Sequence, residues 1–190
     1  MISVENITKS FDNIEILKDI STQFEKGKTN LIIGQSGSGK TVFLKCLLGL
    51  FTIDSGNIRF ENKMLKQMSI KERIILRQEM GMVFQGSALF DSMSVEENIM
   101  FPLKMFTKMT RKEMLDRVNF CIEVVNLEGK GHLYPAETSG GMQKRVAIAR
   151  AISMNPKYLF CDEPNSGLDP KTSIVIDNLI KQVTTEFNIT

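Results

Sequence analysis

Eight residues constrain this chain more than any others: Gly34-Gln35-Ser36-Gly37-Ser38-Gly39-Lys40-Thr41. They fit G-x-x-x-x-G-K-[ST], a loop whose glycines let backbone N–H groups converge on phosphate oxygens without side-chain interference. Such a loop needs a strand before it and a helix after it. Asn30-Leu31-Ile32-Ile33 is a short apolar run that predicts a strand buried on both faces, and helical spacing runs from Thr41 to about Leu50. A helix opening near Lys40 would bring the positive end of its dipole to the same spot. Lys40 would then reach the β- and γ-phosphates of ATP, and Thr41 would hold Mg²⁺ through its hydroxyl. A glycine-rich surface turn is the plain alternative, and the flanking strand and helix argue against it.

A second motif lies far along the chain. Tyr158-Leu159-Phe160-Cys161 predicts another buried strand, with Asp162-Glu163 at its end. Ligands gather at the carboxyl ends of parallel strands, so this pair and the phosphate loop are expected to open onto one crevice. Asp162 would coordinate Mg²⁺ through water, and Glu163 would act as base toward an attacking water. Taken alone, the pair would be capping or solvated acids. Ser139-Gly140-Gly141-Met142-Gln143 precedes a helix whose apolar face includes Val146, Ile148, Ala149 and Ile152. Ser139 is a natural N-cap, and the glycines leave the helix N-terminus open to an anion. A capped helix after a flexible loop accounts for the serine but less well for two glycines.

The 190 residues suit one α/β domain and are too few for two. With 24 basic and 22 acidic residues the charge is nearly balanced, which gives no electrostatic case for nucleic acid as a partner. Cys46, Cys121 and Cys161 are odd in number and far apart; they suit neither a disulfide framework nor zinc, and fit a reducing compartment. Met1–Glu5 does not resemble a signal peptide, and the apolar stretch Phe43–Phe51 is far too short to span a bilayer. A membrane role would come through a partner subunit.

Strands are predicted at Ile2–Ile7, Ile20–Phe24, Asn57–Glu61 and Met80–Phe84, with mostly helical pattern from Gln85 to Asn155. Ser94-Val95-Glu96-Glu97 and Thr110-Arg111-Lys112-Glu113 are capping boxes, each opening a helix. Asp169-Pro170 starts the last helix with an N-cap and an N1 proline. The twelve methionines are spread along the chain and suit adaptable core filling.

In the order phosphate loop, Phe84-Gln85, Ser-Gly-Gly-Met-Gln and Asp-Glu-Pro, the chain resembles the ABC (ATP-binding cassette) ATPases over essentially its whole length. The resemblance implies a fold: an α/β P-loop NTPase core at about 1–85 and 156–190, with a helical subdomain inserted at about 86–155. It implies ATP hydrolysis with Mg²⁺, a homodimer, integral-membrane permease partners, and a place at the cytoplasmic face of the inner membrane. It further implies roles for single residues. Phe11 would lie against adenine, although a strand-end core position accounts for it almost as well. Gln85 would sense Mg²⁺ and the attacking water, acting with Glu163 in catalysis. Ser139, Gly140 and Gly141 would contact the γ-phosphate of ATP held by the opposite subunit. Asp169 matches the loop that communicates across the dimer, a role compatible with its N-cap position.

Gly86–Val95 with Glu97-Asn98 and Phe101-Pro102-Leu103, together with Tyr134–Met142, is similar to the ATPase of the Mla type. That family is associated with MCE-domain proteins and phospholipid transport across the cell envelope. Core packing would account for Leu89, Phe90, Phe101 and Leu103 as well. Thr138 replaces the family's leucine before the signature serine, and Asn165 stands where threonine is usual. The family's histidine follows the last helix, whereas the only histidine here, His132, lies upstream of the signature and is expected to be a loop residue. The expectation is that the C-terminal end is missing beyond Thr190. Three rivals remain open: a small-acceptor kinase, a non-transport ABC protein acting on DNA or ribosomes, and a transporter ATPase for another cargo such as an amino acid or metal ion.

Overall fold

The computed structural model describes residues 1–190, which divide into two units, Met1–Arg77 with Thr190 and Gln78–Ile189. In the first, β1 (Ile2–Phe11) and β2 (Ile14–Phe24) form a hairpin in which Phe11 faces Ile14. Its two-residue turn, Asp12-Asn13, has φ of 48° and 63°. Both values are left-handed, as the twist of a tight hairpin demands, and Asn and Asp tolerate them best among residues with a side chain. β3 (Ser55–Phe60) joins the other side of β1, and β4 (Lys63–Met64) follows, giving the antiparallel order β2-β1-β3-β4. Ile2, Val4, Ile7, Leu17, Ile58 and Phe60 are buried from this sheet. Helix α1 (Lys40–Leu47) buries Phe43, Leu44, Cys46 and Leu47, and helix α2 (Ile70–Gln78) buries only Leu76.

The second unit holds a parallel pair, β5 (Met80–Val83) and β6 (Tyr158–Cys161), in register from Met80 opposite Tyr158 to Val83 opposite Cys161. Around it are α3 (Val95–Phe106), α4 (Arg111–Val124), α5 (Gly140–Ile152) and α6 (Pro170–Glu186). Both expected capping boxes form. Ser94 Oγ accepts from Glu97 N at 3.2 Å while Glu97 accepts from Ser94 N at 2.9 Å, and Thr110 and Glu113 repeat the exchange. The backbone and hydroxyl of Thr110 hold the Glu113 carboxyl below its ordinary pKa. The core includes Ile99, Leu103, Val118, Val146, Ile148, Ile152, Ile176 and Val183. Each such side chain contributes about 1.5–3 kcal/mol on burial. Asn98 is fully buried among them and ties down the preceding loop, accepting from Phe90 N and donating to the carbonyls of Phe90, Met93 and Ser94.

Two expectations fail. Asn30–Ile33 is not a strand, and Leu31 and Ile33 are 80% and 85% exposed instead of buried on both faces. A strand is held by ladder hydrogen bonds, and no ladder forms to this segment, which leaves its apolar side chains in solvent. The sheet of the first unit is also antiparallel throughout, so the parallel order expected near the phosphate loop is confined to β5 and β6. His132 is exposed in the loop between α4 and α5, as expected.

Candidate functional site

The phosphate loop belongs to the first unit. Gly39 is the N-cap of α1 at φ 95°, a conformation open to glycine and costly for residues with a Cβ. A Cβ there would also approach Ile16 Cγ2 at 3.0 Å and Leu17 Cδ2 at 3.2 Å, so β2 packs directly under the loop. No side chain caps the helix and no acidic residue lies in its first turn. The positive end of α1 is therefore left to an external anion. Lys40 Nζ is folded back, donating to the carbonyls of Gly34 at 2.8 Å and Gln35 at 2.9 Å. Its ammonium thus sits over the loop it starts from. Gln35, Ser36, Gly37 and Ser38 are exposed, and Ser38 N closes a turn on Gln35 O at 3.2 Å. Thr41, the first residue after Lys40, carries the hydroxyl suited to Mg²⁺.

Phe11 lies at the end of β1 and is 38% exposed. It is not a core residue. Phe51 packs edge-on against it, Lys9 Nζ lies 5.1 Å from its ring centroid, and Lys45 of α1 lies 5.3 Å from the ring of Phe51. Lys9 is fixed in turn by Asp54 at 2.8 Å, and its hydrogen bond holds the Asp54 carboxyl below the usual range. Phe51 was not legible as a partner of Phe11, because 40 residues separate them and neither lies in a shared motif.

The remaining candidates lie in the second unit. Asp162 N donates to Val83 O at 2.9 Å, extending the β5–β6 ladder by one bond and placing Asp162 at the carboxyl end of the pair. Asp162 is buried, whereas Glu163 is exposed with φ 48°. The chain then turns through Ser166 N to Glu163 O at 3.0 Å. Asn165 Nδ2 donates to Asp177 of α6 at 2.7 Å, which gives that unusual asparagine a structural purpose. Gln85 follows β5 and donates from Nε2 to Ser166 Oγ at 3.2 Å, so Gln85 and the Asp162–Glu163 turn are brought together.

Ser139, Gly140 and Gly141 share one cleft of about 570 Å³ with Asp169. The N-termini of α5 and α6 both open there, and Arg145 and Lys171 add positive charge. Ser139 Oγ accepts from Met142 N at 3.3 Å as the N-cap of α5. Asp169 caps α6, accepting from Lys171 N at 3.0 Å and Thr172 N at 3.1 Å, and the Thr172 hydroxyl holds its carboxyl below the ordinary pKa. A Cβ on Gly141 would come within 2.6 Å of Thr172 Cγ2. Packing of α5 on α6 therefore gives that glycine a reason independent of any anion.

Two cations on α5 were not legible as site residues. Lys144 donates to Gln85 O and is only 5% exposed; burial pushes its pKa down. Arg150 donates to Ser87 O and Ala88 O, both at 2.8 Å. A signal for Lys144 existed: it shares a helical face with Ile148 and Ala151, at i+4 and i+7.

The sequence matches the family described as ABC transporter over residues 17–166. It is 40% identical over 190 residues to the methionine import ATP-binding protein MetN of Clostridium tetani, covering all of this chain and 59% of that protein. It is 38% identical over 189 residues to the probable ribonucleotide transport ATP-binding protein mkl of Mycobacterium leprae, covering 54% of it. The chain thus spans less than two thirds of the length of these relatives. Among solved structures, the ATP-binding cassette MJ0796, as a post-hydrolysis dimer bound to ADP and Pi, aligns with TM-score 0.86 and 31% identity over 99% of this chain and 84% of that one. The fold is accordingly the α/β P-loop cassette fold. The relatives named here do not bear specifically on the Mla type.

Proposed function

Because this chain belongs to the ABC transporter family, we propose that it binds and hydrolyses ATP to drive a membrane transporter, and that the cargo is a small solute. The observation that carries the ATPase reading is the phosphate loop: Lys40 sits over Gly34 and Gln35 beside an α1 N-terminus that no side chain of its own occupies. A nucleotide triphosphate supplies the anion such an arrangement lacks.

The reading assigns the following roles. Lys40 and the loop backbone bind the phosphates in the ground state, and Phe11 offers its exposed ring to adenine. The donors Thr41, Asp162 and Gln85 present oxygen atoms, the chemistry Mg²⁺ prefers. No cluster of three acidic, histidine or cysteine side chains exists, which suits an ion that keeps water and substrate phosphates among its ligands. Bound Mg²⁺ would neutralise charge developing on the phosphates. Glu163 is exposed at its turn and accepts a proton from the attacking water, while Gln85, held at Ser166, orients that water. Ser139, Gly140, Gly141 and Asp169 would serve the ATP of a second copy in a head-to-tail homodimer.

The cargo reading is supported by relatives whose names give methionine and ribonucleotide. No helix is long and apolar enough to cross a membrane, so permease subunits would provide the path and hold the ATPase at the cytoplasmic face of the inner membrane. Exposed Phe90, Met105 and Phe106 on and beside α3 offer an apolar surface for them. A second reading keeps phospholipid as cargo with an MCE-domain partner. Its support is the joint occurrence of Met142 with Phe101-Pro102-Leu103 and Ala88–Val95. In the structure Leu103 is core, and Phe90, though exposed, sets its ring at a tilt against Phe101 with centroids 4.7 Å apart, so part of the set also has a packing reason.

The test is reconstitution of the ATPase with its permease in vesicles, supplied with ATP and either labelled methionine or labelled phospholipid. Methionine accumulation that is lost in Glu163→Gln supports the solute reading. Phospholipid movement without methionine uptake would replace it with the second reading. ATP-independent movement of both would end the motor assignment.

A further inference from the structure

A lysine that is 5% exposed inside a helical core calls for a reason, because burying an ammonium costs several kcal/mol unless it is well partnered. The side-chain hydrogen bond of Lys144 runs to the backbone carbonyl of Gln85, 59 residues away. Two carbonyls further along the same loop, those of Ser87 and Ala88, are held by Arg150 of the same helix. Ser87 and Ala88 both lie in the left-handed region, at φ 62° and 48°. Neither is a residue that adopts it readily, so the loop needs an external hold. The two cations of α5 provide one.

We infer that Lys144 is the positioning residue for Gln85. It fixes the backbone of Gln85 from one side while Ser166 receives the Gln85 side chain from the other, so the amide is aimed by two contacts. Its helix also carries Ser139 and Gly140 at its N-terminal end, and α5 has 13 residues, a rigid rod of about 20 Å. Displacement of that end is therefore passed to Gln85 through Lys144. Lys144 touches no reacting atom. The inference rests on the proposed role of Gln85 in hydrolysis.

The alternative is that Lys144 only fills space, and substitution separates the two. Lys144→Met keeps length and packing and removes the donor; Lys144→Arg keeps a cationic donor. In the full-length protein, Lys144→Met should retain its thermal midpoint and its affinity for ATP. Its kcat should fall on the order of 10- to 100-fold, as displacement of a catalytic contact by about an ångström does. Amide hydrogen exchange at residues 85–88 should rise while the rest of α5 stays protected, and Lys144→Arg should recover most of the turnover. Lys144→Leu, which also lacks a donor, serves for the same exchange measurement if the methionine variant does not fold. Unchanged exchange at residues 85–88, or kcat within about twofold of wild type, would overturn the role. Gln85→Ala is measured alongside. If it loses turnover while Lys144→Met keeps it, the positioning role fails and the reading of Gln85 stands; if neither loses turnover, both fail.

Discussion

The ring of Phe51 stands edge-on to that of Phe11, with centroids 5.3 Å apart and planes at 69°. An edge-to-face pair of this kind contributes about 0.5–1.5 kcal/mol beyond its buried area and fixes the orientation of the more exposed ring. Phe51 thereby sets the plane against which adenine would lie. Phe51→Leu should weaken ATP binding about 2- to 10-fold, the range that pair energy corresponds to. Affinity for inorganic tripolyphosphate, which has no base, should not change. Competition against a fluorescent nucleotide measures both, and equal loss for the two ligands would remove Phe11 from the adenine site.

Lys40 and Glu163 should separate binding from chemistry. In the proposed mechanism Lys40 contacts phosphates before the reaction, so Lys40→Ala should lower ATP affinity about 10- to 100-fold, as loss of a charge-assisted contact does. As the proposed base, Glu163 would act mainly in the transition state, and Glu163→Gln should keep binding while kcat falls about 10²- to 10⁴-fold. Fluorescence titration and phosphate release give the two numbers. Unaltered affinity in the first variant, or unaltered turnover in the second, contradicts the assignment.

Association should depend on nucleotide. The cleft at Ser139 gathers the N-terminus of α5 with Arg145 and Lys171, a positive potential that the Asp169 carboxylate capping α6 offsets only in part and that the phosphates of ATP on a second subunit would complement. Sedimentation of full-length Glu163→Gln with ATP and Mg²⁺ should show a dimer, and without nucleotide a monomer. A monomer in both conditions, even with the permease present, would exclude the head-to-tail arrangement.

What could be read from the sequence was local. The two capping boxes and the Asp169-Pro170 helix start each depend on residues within a few positions of one another, and each takes the expected form. Asn30–Ile33 shows the limit. An apolar run records what would be buried if ladder neighbours were present, and their presence is decided elsewhere in the chain. The hold of Lys144 on Gln85 and the contact of Phe11 with Phe51 are likewise products of tertiary packing. Cargo lies further out still, since a motor subunit need not touch what the transporter carries.

Glu72 offers a check on the first unit that is independent of nucleotide. Its carboxylate accepts from Lys63 at 2.7 Å and from Ser69 N and Oγ at 3.0 and 2.9 Å. These bonds, that of Lys63 foremost, bring its pKa down to about 2 from 4.5. The folded value is below the unfolded one, so its stabilising effect is fully present above about pH 4.5 and is lost as pH falls toward about 2. Thermal melts of wild type and Glu72→Gln should differ near neutrality and converge in acid. A gap that widens on acidification would mean that the ion pair does not form in solution.

The backbone at Glu163 has a consequence of its own. At φ 48° this residue occupies a region that glycine enters freely and that costs a residue with a Cβ about 1–2 kcal/mol. Glycine would therefore suit the local geometry better than glutamate does. On the role proposed for Glu163, the chain keeps a carboxylate where its conformation argues against any side chain, a trade of robustness for reactivity. Selection for heat tolerance alone would be expected to drift toward Glu163→Gly: a sturdier protein, and a silent one.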